Sequence, residues 1–132
     1  VTTDPIEVVR RFYEVLARGD VLALVGMLAP RLEWTEAERF PYHGGTWHTP
    51  EEVVQGLLAP LERDWEAFSA RPVSSVAEGE RVVSLGAYRG KYRKTGRSMT
   101  APFAHVWTVR DGKIAGFVQY TDTAKVLEAL QE

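Results

Sequence analysis

Trp34 and Glu36 stand two residues apart in the segment RLEWTEAERFPYHGGTW, residues 31–47, where the residue types predict a short strand followed by a glycine-bearing loop. Side chains two apart on a strand share a face. A carboxylate held among aromatics at the edge of a core is placed to bind or deprotonate a small organic molecule, because burial penalises its charge and lifts its pKa toward neutrality. Tyr42 supplies a further aromatic wall for that position. The competing reading is a glutamate at a strand end, solvated or paired with Arg39.

Gln119 is the second candidate. In GFVQYTD, residues 116–122, alternation places Phe117, Gln119 and Thr121 on one face and Val118, Tyr120 and Asp122 on the other. With Phe117 turned into the core, Gln119 follows it, either as a ligand contact or as a buried amide holding a neighbouring strand. Arg89 continues the apolar series Val83, Leu85 and Ala87, which predicts a cationic side chain at a cavity rim, within reach of Glu36 or an anionic ligand group. Trp47, Trp65, Phe68 and Leu61 are read as walls.

Other chemistries find little support. His43, His48 and His105 match no metal-ligand spacing, and no cysteine is present, so neither a metal nor a cofactor is expected. In the hairpin of residues 88–97 the cations Arg89, Lys91 and Arg93 face away from Tyr88 and Tyr92, so aromatics and charges do not share a surface. With a net charge of −2 the chain has no global attraction for nucleic acid or an anionic membrane. Gly44-Gly45 lacks the Lys-Ser/Thr of a phosphate loop. Asp4, Glu7, Arg10 and Arg11 interrupt any secretory h-region, so a cytoplasmic location is expected.

The elements that must position these residues fit one domain of 132 residues, 45% hydrophobic and 26% charged. Asp4-Pro5-Ile6-Glu7 is a helix start, and Ile6, Val9, Phe12, Tyr13 and Leu16 recur at helical spacing up to Arg18-Gly19. Asp20 opens a second helix with Val21, Leu24, Val25 and Leu28 as its stripe, ended by Pro30. Thr49-Pro50-Glu51-Glu52 opens a third, from about residue 50 to 58, bent or broken at Pro60. Strands are predicted over 68–76, 81–94, 97–110 and 113–121, with turns at Glu78-Gly79, Thr95-Gly96 and Asp111-Gly112. A final helix covers 123–130. Helices followed by an antiparallel meander make an α+β fold: a cone-shaped curved sheet wrapped around the N-terminal helices, a cystatin-like α+β barrel enclosing a cavity.

The order and spacing of FYEVLARGD, WTEAERFPYHGGTW, TPEEVVQGL, APFAHVWTVRDGKI and FVQYTDT resemble the SnoaL-like, polyketide-cyclase branch of the nuclear-transport-factor-2-like superfamily, over nearly the whole chain. That superfamily also contains ketosteroid isomerase and limonene-epoxide hydrolase. Counted without gaps from Gly19-Asp20, Glu36 falls where the isomerase keeps its general base, while its two oxyanion donors fall on Phe12 and Ala104. Neither can donate a side-chain hydrogen bond, so steroid isomerisation is not implied. The epoxide hydrolases carry an acid at the position of Gln119. SnoaL-type cyclases use a carboxylate as acid and base, which makes Asp122 of YTDT a candidate, set against its reading as the cap of the last helix.

The resemblance implies a small homodimer. With Ala104 facing the cavity, His105 and Trp107 face outward, onto the convex side of the sheet where these dimers join. The expected cavity is lined by Trp34, Glu36, Tyr42, Trp65, Leu85, Ala104, Phe117 and Gln119, and takes a small hydrophobic molecule with one or two polar groups. If the protein is an enzyme, the implied reaction is cofactor-free proton transfer next to a carbonyl, an isomerisation or cyclisation. Glu36 is then the base, Gln119 or Tyr42 polarises the oxygen, and Arg89 assists. A binding module without turnover and a dimerising scaffold with a filled cone are the alternatives.

Overall fold

The computed structural model describes residues 3–132. The chain runs α1 (Pro5–Arg18), α2 (Val21–Met27), β1 (Leu28–Thr35), β2 (Thr46–Trp47), α3 (Pro50–Val53), a π-helical turn (Val54–Leu58), α4 (Ala59–Asp64), β3 (Trp65–Glu78), β4 (Arg81–Tyr92), β5 (Ser98–Arg110), β6 (Lys113–Thr121) and α5 (Thr123–Glu128). Local signals set most of these ends. Asp4 and Asp20 accept hydrogen bonds from Ile6 N and Ala23 N at the starts of α1 and α2, and Gly19 closes α1 in the left-handed conformation at φ 69°. Thr49 and Glu52 form a capping box on α3.

Six strands make one curved, unclosed sheet in the order β2-β1-β6-β5-β4-β3. The meander from β3 to β6 is antiparallel, and β1 joins it parallel to β6, a pairing outside the predicted meander. Curvature enters at irregularities in β3, one around Ala67, whose φ is 54°, and one beside Pro72. At Gly86, opposite the second, a Cβ would stand 2.1 Å from the Arg71 carbonyl oxygen, so the bend needs glycine there. α1 lies across the concave face and buries Val8, Val9, Phe12, Tyr13 and Val15 against it.

Three boundaries differ from the sequence reading. Leu28 is buried from β1 rather than from α2, because the helix stops at Met27 before Pro30. Pro60 does not break its helix; the Ala59 amide bonds to the Val54 carbonyl, a wider turn that absorbs proline's missing donor and carries the helix to Asp64. β3 begins at Trp65, three residues before the predicted start. No helix among the described residues is long and apolar enough to cross a membrane.

Candidate functional site

Cross-strand register lines up four polar residues on the concave face. Ser75 is opposite Ser84, Ser84 opposite His105, and His105 opposite Gln119. The neighbouring inner row is apolar: Val82, Trp107, Phe117 and Trp34. Thr35 is the partner of Val118, so Glu36, the next residue, leaves β1 beside Gln119 at the end of the polar row.

Glu36 is 3% exposed. Its Oε1 accepts a hydrogen bond from Trp34 Nε1 at 3.3 Å, and its Oε2 has no partner. Burial pushes the carboxyl up to about 8, with the Trp34 bond only partly opposing it. At neutral pH the group is therefore mostly a carboxylic acid. Because Oε1 is occupied as an acceptor, the acid proton belongs on Oε2, a buried donor with nothing to donate to. The alternative partner, Arg39, is exposed on the surface.

Gln119 holds the segment that follows. Its Oε1 accepts from Ala37 N at 3.0 Å, and its Nε2 donates to the Tyr88 hydroxyl at 2.8 Å. The Ala37 bond fixes which end of the amide faces Tyr88. His43 Nδ1 donates to the Glu36 carbonyl at 2.9 Å, which closes the loop back on its own start. Phe40, buried on that loop, stands 6.2 Å from the Tyr88 ring and 5.8 Å from the Tyr42 ring.

Beyond Tyr88 the polar row continues. The Tyr88 hydroxyl meets His105 Nε2 at 2.5 Å, and His105 Nδ1 meets the Tyr13 hydroxyl at 2.6 Å. Tyr13 also accepts from Trp107 Nε1 at 3.3 Å, and farther along the row Ser84 meets Ser75 at 2.8 Å. Phe103 stacks on the imidazole at 3.8 Å, and desolvation pulls His105 down to about 3, so the ring is neutral. Burial holds both tyrosine protons on, well above the usual phenol range.

Several expectations are corrected by this geometry. His105 and Trp107 point into the cone, not onto the convex side, and Ala104 points out. Phe12 is buried in the core and Ala104 faces outward, and the polar side chains next to them in sequence that meet inside the cone are Tyr13 and His105. In β4 the buried set is Val82, Ser84 and Tyr88, which leaves Leu85 half-exposed on the outside with Arg89 beyond it. Neither can line an interior site, and Arg89 cannot reach Glu36. Both alternating sets of β4 are rich in apolar residues, so the pattern sorts the side chains into faces without saying which face is inside.

Trp34, Phe117, Tyr42 and Trp65 are on the inner side, with Tyr42 only half-buried. The Tyr42 hydroxyl donates to Asp64 at 2.8 Å and accepts from Trp65 Nε1 at 3.0 Å, which ties the loop to α4 and β3. Asp122 accepts from Lys125 N at 3.3 Å and caps α5. The interior beside Glu36 is filled rather than open: Trp34 stacks on Phe117 at 4.1 Å, and Phe12 and Trp107 close against them. Two surface hollows of about 290 and 320 Å³ are lined by residues such as Glu80, Arg81, Arg31 and Arg110, and neither touches Glu36 or Gln119. Among the described residues no cluster of three or more His, Asp or Glu side chains is arranged to hold a metal.

Sequence reasoning missed Tyr13, Ser84, Tyr88 and His105 as a group. The available signal was that Ser84 and His105 alternate in step with Tyr88, Phe103 and Trp107, polar residues interleaved with large aromatics on one face.

The arrangement is similar to solved structures. An NTF2-like protein of Burkholderia thailandensis is 36% identical, with 97% of this chain and 98% of that one covered and a TM-score of 0.92. An NTF2-like protein of unknown function from Burkholderia pseudomallei is 30% identical over 100% of both chains, with a TM-score of 0.88. A candidate polyketide cyclase of Xanthomonas campestris pv. campestris shares the fold at 20% identity, 96% of each chain and a TM-score of 0.84. No curated protein sequence matches the chain. The profile of the SnoaL-like domain matches residues 9–117, and on that match, with this fold, the chain belongs to the SnoaL-like family.

Proposed function

We propose that the protein binds a small, largely hydrophobic molecule carrying a carbonyl or hydroxyl oxygen, seated inside the cone against Glu36. The observation that carries this reading is the Glu36 Oε2 atom, buried and without a partner. An unpaired buried donor costs roughly 1–3 kcal/mol, and a ligand oxygen accepting its hydrogen bond recovers that cost. Gln119 has both ends of its amide engaged, so it positions Ala37 and Tyr88 rather than the ligand. Phe40 is the side chain a ligand displaces, because it is carried by a loop and lies against Tyr88.

Where turnover follows binding, the supported reaction is cofactor-free proton transfer next to the carbonyl, as in isomerisation or aldol-type cyclisation. With its pKa near 8, Glu36 has both acid and base forms accessible around neutral pH. The absence of cysteine suits a reducing compartment, and we take the cytoplasm as the setting.

The test is a panel of alicyclic and aromatic ketones and phenols, followed by quenching of tryptophan fluorescence, since Trp34 is bonded to Glu36. Binding by wild type that tightens in Phe40→Ala and weakens in Glu36→Gln supports the site. Deuterium uptake at the α-carbon of a bound ketone, lost in Glu36→Gln, adds the catalytic step.

The aromatic filling of the interior favours one other reading, a dimerising scaffold. The outer face carries an apolar band of Val76, Val83, Leu85, Val106, Val118 and Tyr120 in adjacent register. A homodimer through that face is part of both readings. If no panel member binds wild type or Phe40→Ala, the scaffold reading stands alone.

A further inference from the structure

We propose that residues 37–45 form a latched lid over Glu36, with Phe40 as its plug and the Tyr42 hydroxyl as its catch, so that the site is shut in the free protein and opens while the sheet stays folded. The proposal rests on the reading of Glu36 as a ligand-facing group and adds its regulation. A ligand, like water, reaches the carboxyl only when the catch lets go.

The loop is built as a unit apart from the sheet. Its neck is closed where Thr35 pairs with Thr46, and the two hydroxyls meet at 2.9 Å. Beyond the neck the chain folds on itself: Phe40 N bonds to the Ala37 carbonyl, His43 N to the Phe40 carbonyl, and the His43 ring to the Glu36 carbonyl. Among the described residues, the backbone-to-backbone hydrogen bonds of residues 37–45 stay inside the loop. A compact loop with a closed neck can move as one body, because its displacement breaks none of those bonds. Glu38, Arg39, His43, Gly44 and Gly45 are exposed, and within the loop Phe40 is the buried residue. Gly45, at φ 76°, gives the returning end a pivot without a side chain.

Three attachments hold the loop to the body, and they differ in kind. Ala37 N donates to Gln119 Oε1 at the root, where a swing of the outer part leaves it in place. Phe40 packs toward the Tyr88 ring and is held by burial alone. The Tyr42 hydroxyl donates to Asp64 at 2.8 Å and accepts from Trp65 Nε1 at 3.0 Å, and it is half-buried, so water can take over both bonds. The receiving side of the catch is fixed. Arg63 bonds the same Asp64 carboxylate at 2.8 and 3.0 Å, and Trp65 packs edge-on against Phe68 and Tyr92.

The filled interior is then the shut state. Phe40 occupies under the closed lid the place that a ligand takes when the lid is open. Affinity is lowered by the fraction of molecules that are open, and loosening the catch raises it.

The indole N–H groups read the lid, with water as the probe. Trp34 Nε1 bonds to Glu36 beneath the loop, whereas Trp107 Nε1 bonds to Tyr13 beneath α1. A loop that is only structural uncovers Trp34 when the whole protein unfolds, so both indoles exchange alike. A lid uncovers Trp34 first. In ¹⁵N-tryptophan-labelled protein the Trp34 indole should exchange about 100-fold faster than that of Trp107, with a weaker dependence on urea. Tyr42→Phe, which removes the catch and keeps the ring, should speed Trp34 about tenfold. Ile114→Val, at the other end of the β1–β6 pairing opposite Leu28, should speed Trp107 severalfold through global stability and leave Trp34 at the wild-type rate.

Should Tyr42→Phe fail to fold, Asp64→Ala removes the catch from the other side and should speed Trp34 to the same extent. Trp34 exchange as slow as that of Trp107, unmoved by loss of the catch, or rising with Ile114→Val overturns the lid. Titrating Glu36 in the same samples separates the ligand reading. Fast Trp34 exchange beside a Glu36 that titrates in the ordinary carboxylate range keeps the lid and removes the ligand site beneath it. Slow Trp34 exchange beside a Glu36 that titrates near 8 removes the lid and keeps the site.

Discussion

Replacing Glu36 by Gln removes a buried carboxyl that ionises on the alkaline side of its unfolded value, and with it a steep dependence of stability on pH. Glu36 ionises at about 8 in the folded protein against 4.5 ordinarily. Between those values the unfolded chain binds fewer protons at this site than the native one, so stability falls as pH rises. At about 1.4 kcal/mol per pH unit the loss reaches ~5 kcal/mol by pH 8 and then levels off. His105 acts with the opposite sign, since it drops from 6.5 to about 3 on folding. Its contribution is complete above 6.5 and is lost as pH falls toward 3.

The two slopes cancel between pH 4.5 and 6.5, where wild type should show a flat maximum, with a decline to about pH 8 on one side and to about pH 3 on the other. Glu36→Gln keeps an acceptor for Trp34 Nε1 and cannot ionise. It should match wild type below pH 4.5, diverge upward from there, and stay flat above 6.5. Urea unfolding at half-unit steps from pH 4 to 9 measures both curves, and their difference cancels every other titrating group. Parallel curves would refute the assignment of Glu36 as a neutral buried acid and withdraw the observation on which the proposed ligand site depends.

Four further outcomes are expected. Tyr88→Phe strands the Gln119 amide donor and His105 Nε2 together, and urea unfolding should show a loss of about 1–3 kcal/mol. Gly86→Ala places a Cβ 2.1 Å from the Arg71 carbonyl, where backbone must move, and thermal melts should show destabilisation of roughly 1–3 kcal/mol or no folded protein. Asp122→Ala should cost about 1 kcal/mol of stability through the lost α5 cap while leaving ligand binding unchanged, which separates capping from chemistry at that position. Leu85→Glu, on the outer face, should leave the melting temperature within a few degrees and yield a monomer by light scattering if that face joins two copies.

Much of the architecture was legible from local chemistry. Asp4-Pro5, Asp20 and Thr49-Pro50-Glu51-Glu52 open helices because a side-chain oxygen satisfies amides that the helix cannot, and the structure keeps all three starts. Gly79, Gly96 and Gly112 take the positive φ angles that their turns require. The pairing of Trp34 with Glu36, and of Phe117 with Gln119, followed from strand alternation. The end of the third helix was not legible, because Pro60 breaks an α-helical ladder but is compatible with the π turn that forms, in which the Ala59 amide bonds to the Val54 carbonyl.

What the sequence determined by itself was therefore the set of elements, their caps and turns, and which side chains share a face. What only the tertiary structure decided was which face looks inward. On β4 and β5 both alternating sets hold enough apolar residues to be a core, and the set that wins includes Ser84, Tyr88 and His105. Those polar groups can be buried because Tyr13 from α1, Ser75 from β3 and Gln119 from β6 arrive to satisfy them. A hydrogen bond between residues 92 positions apart leaves no local trace in the sequence, whereas a helix cap two or three positions away does.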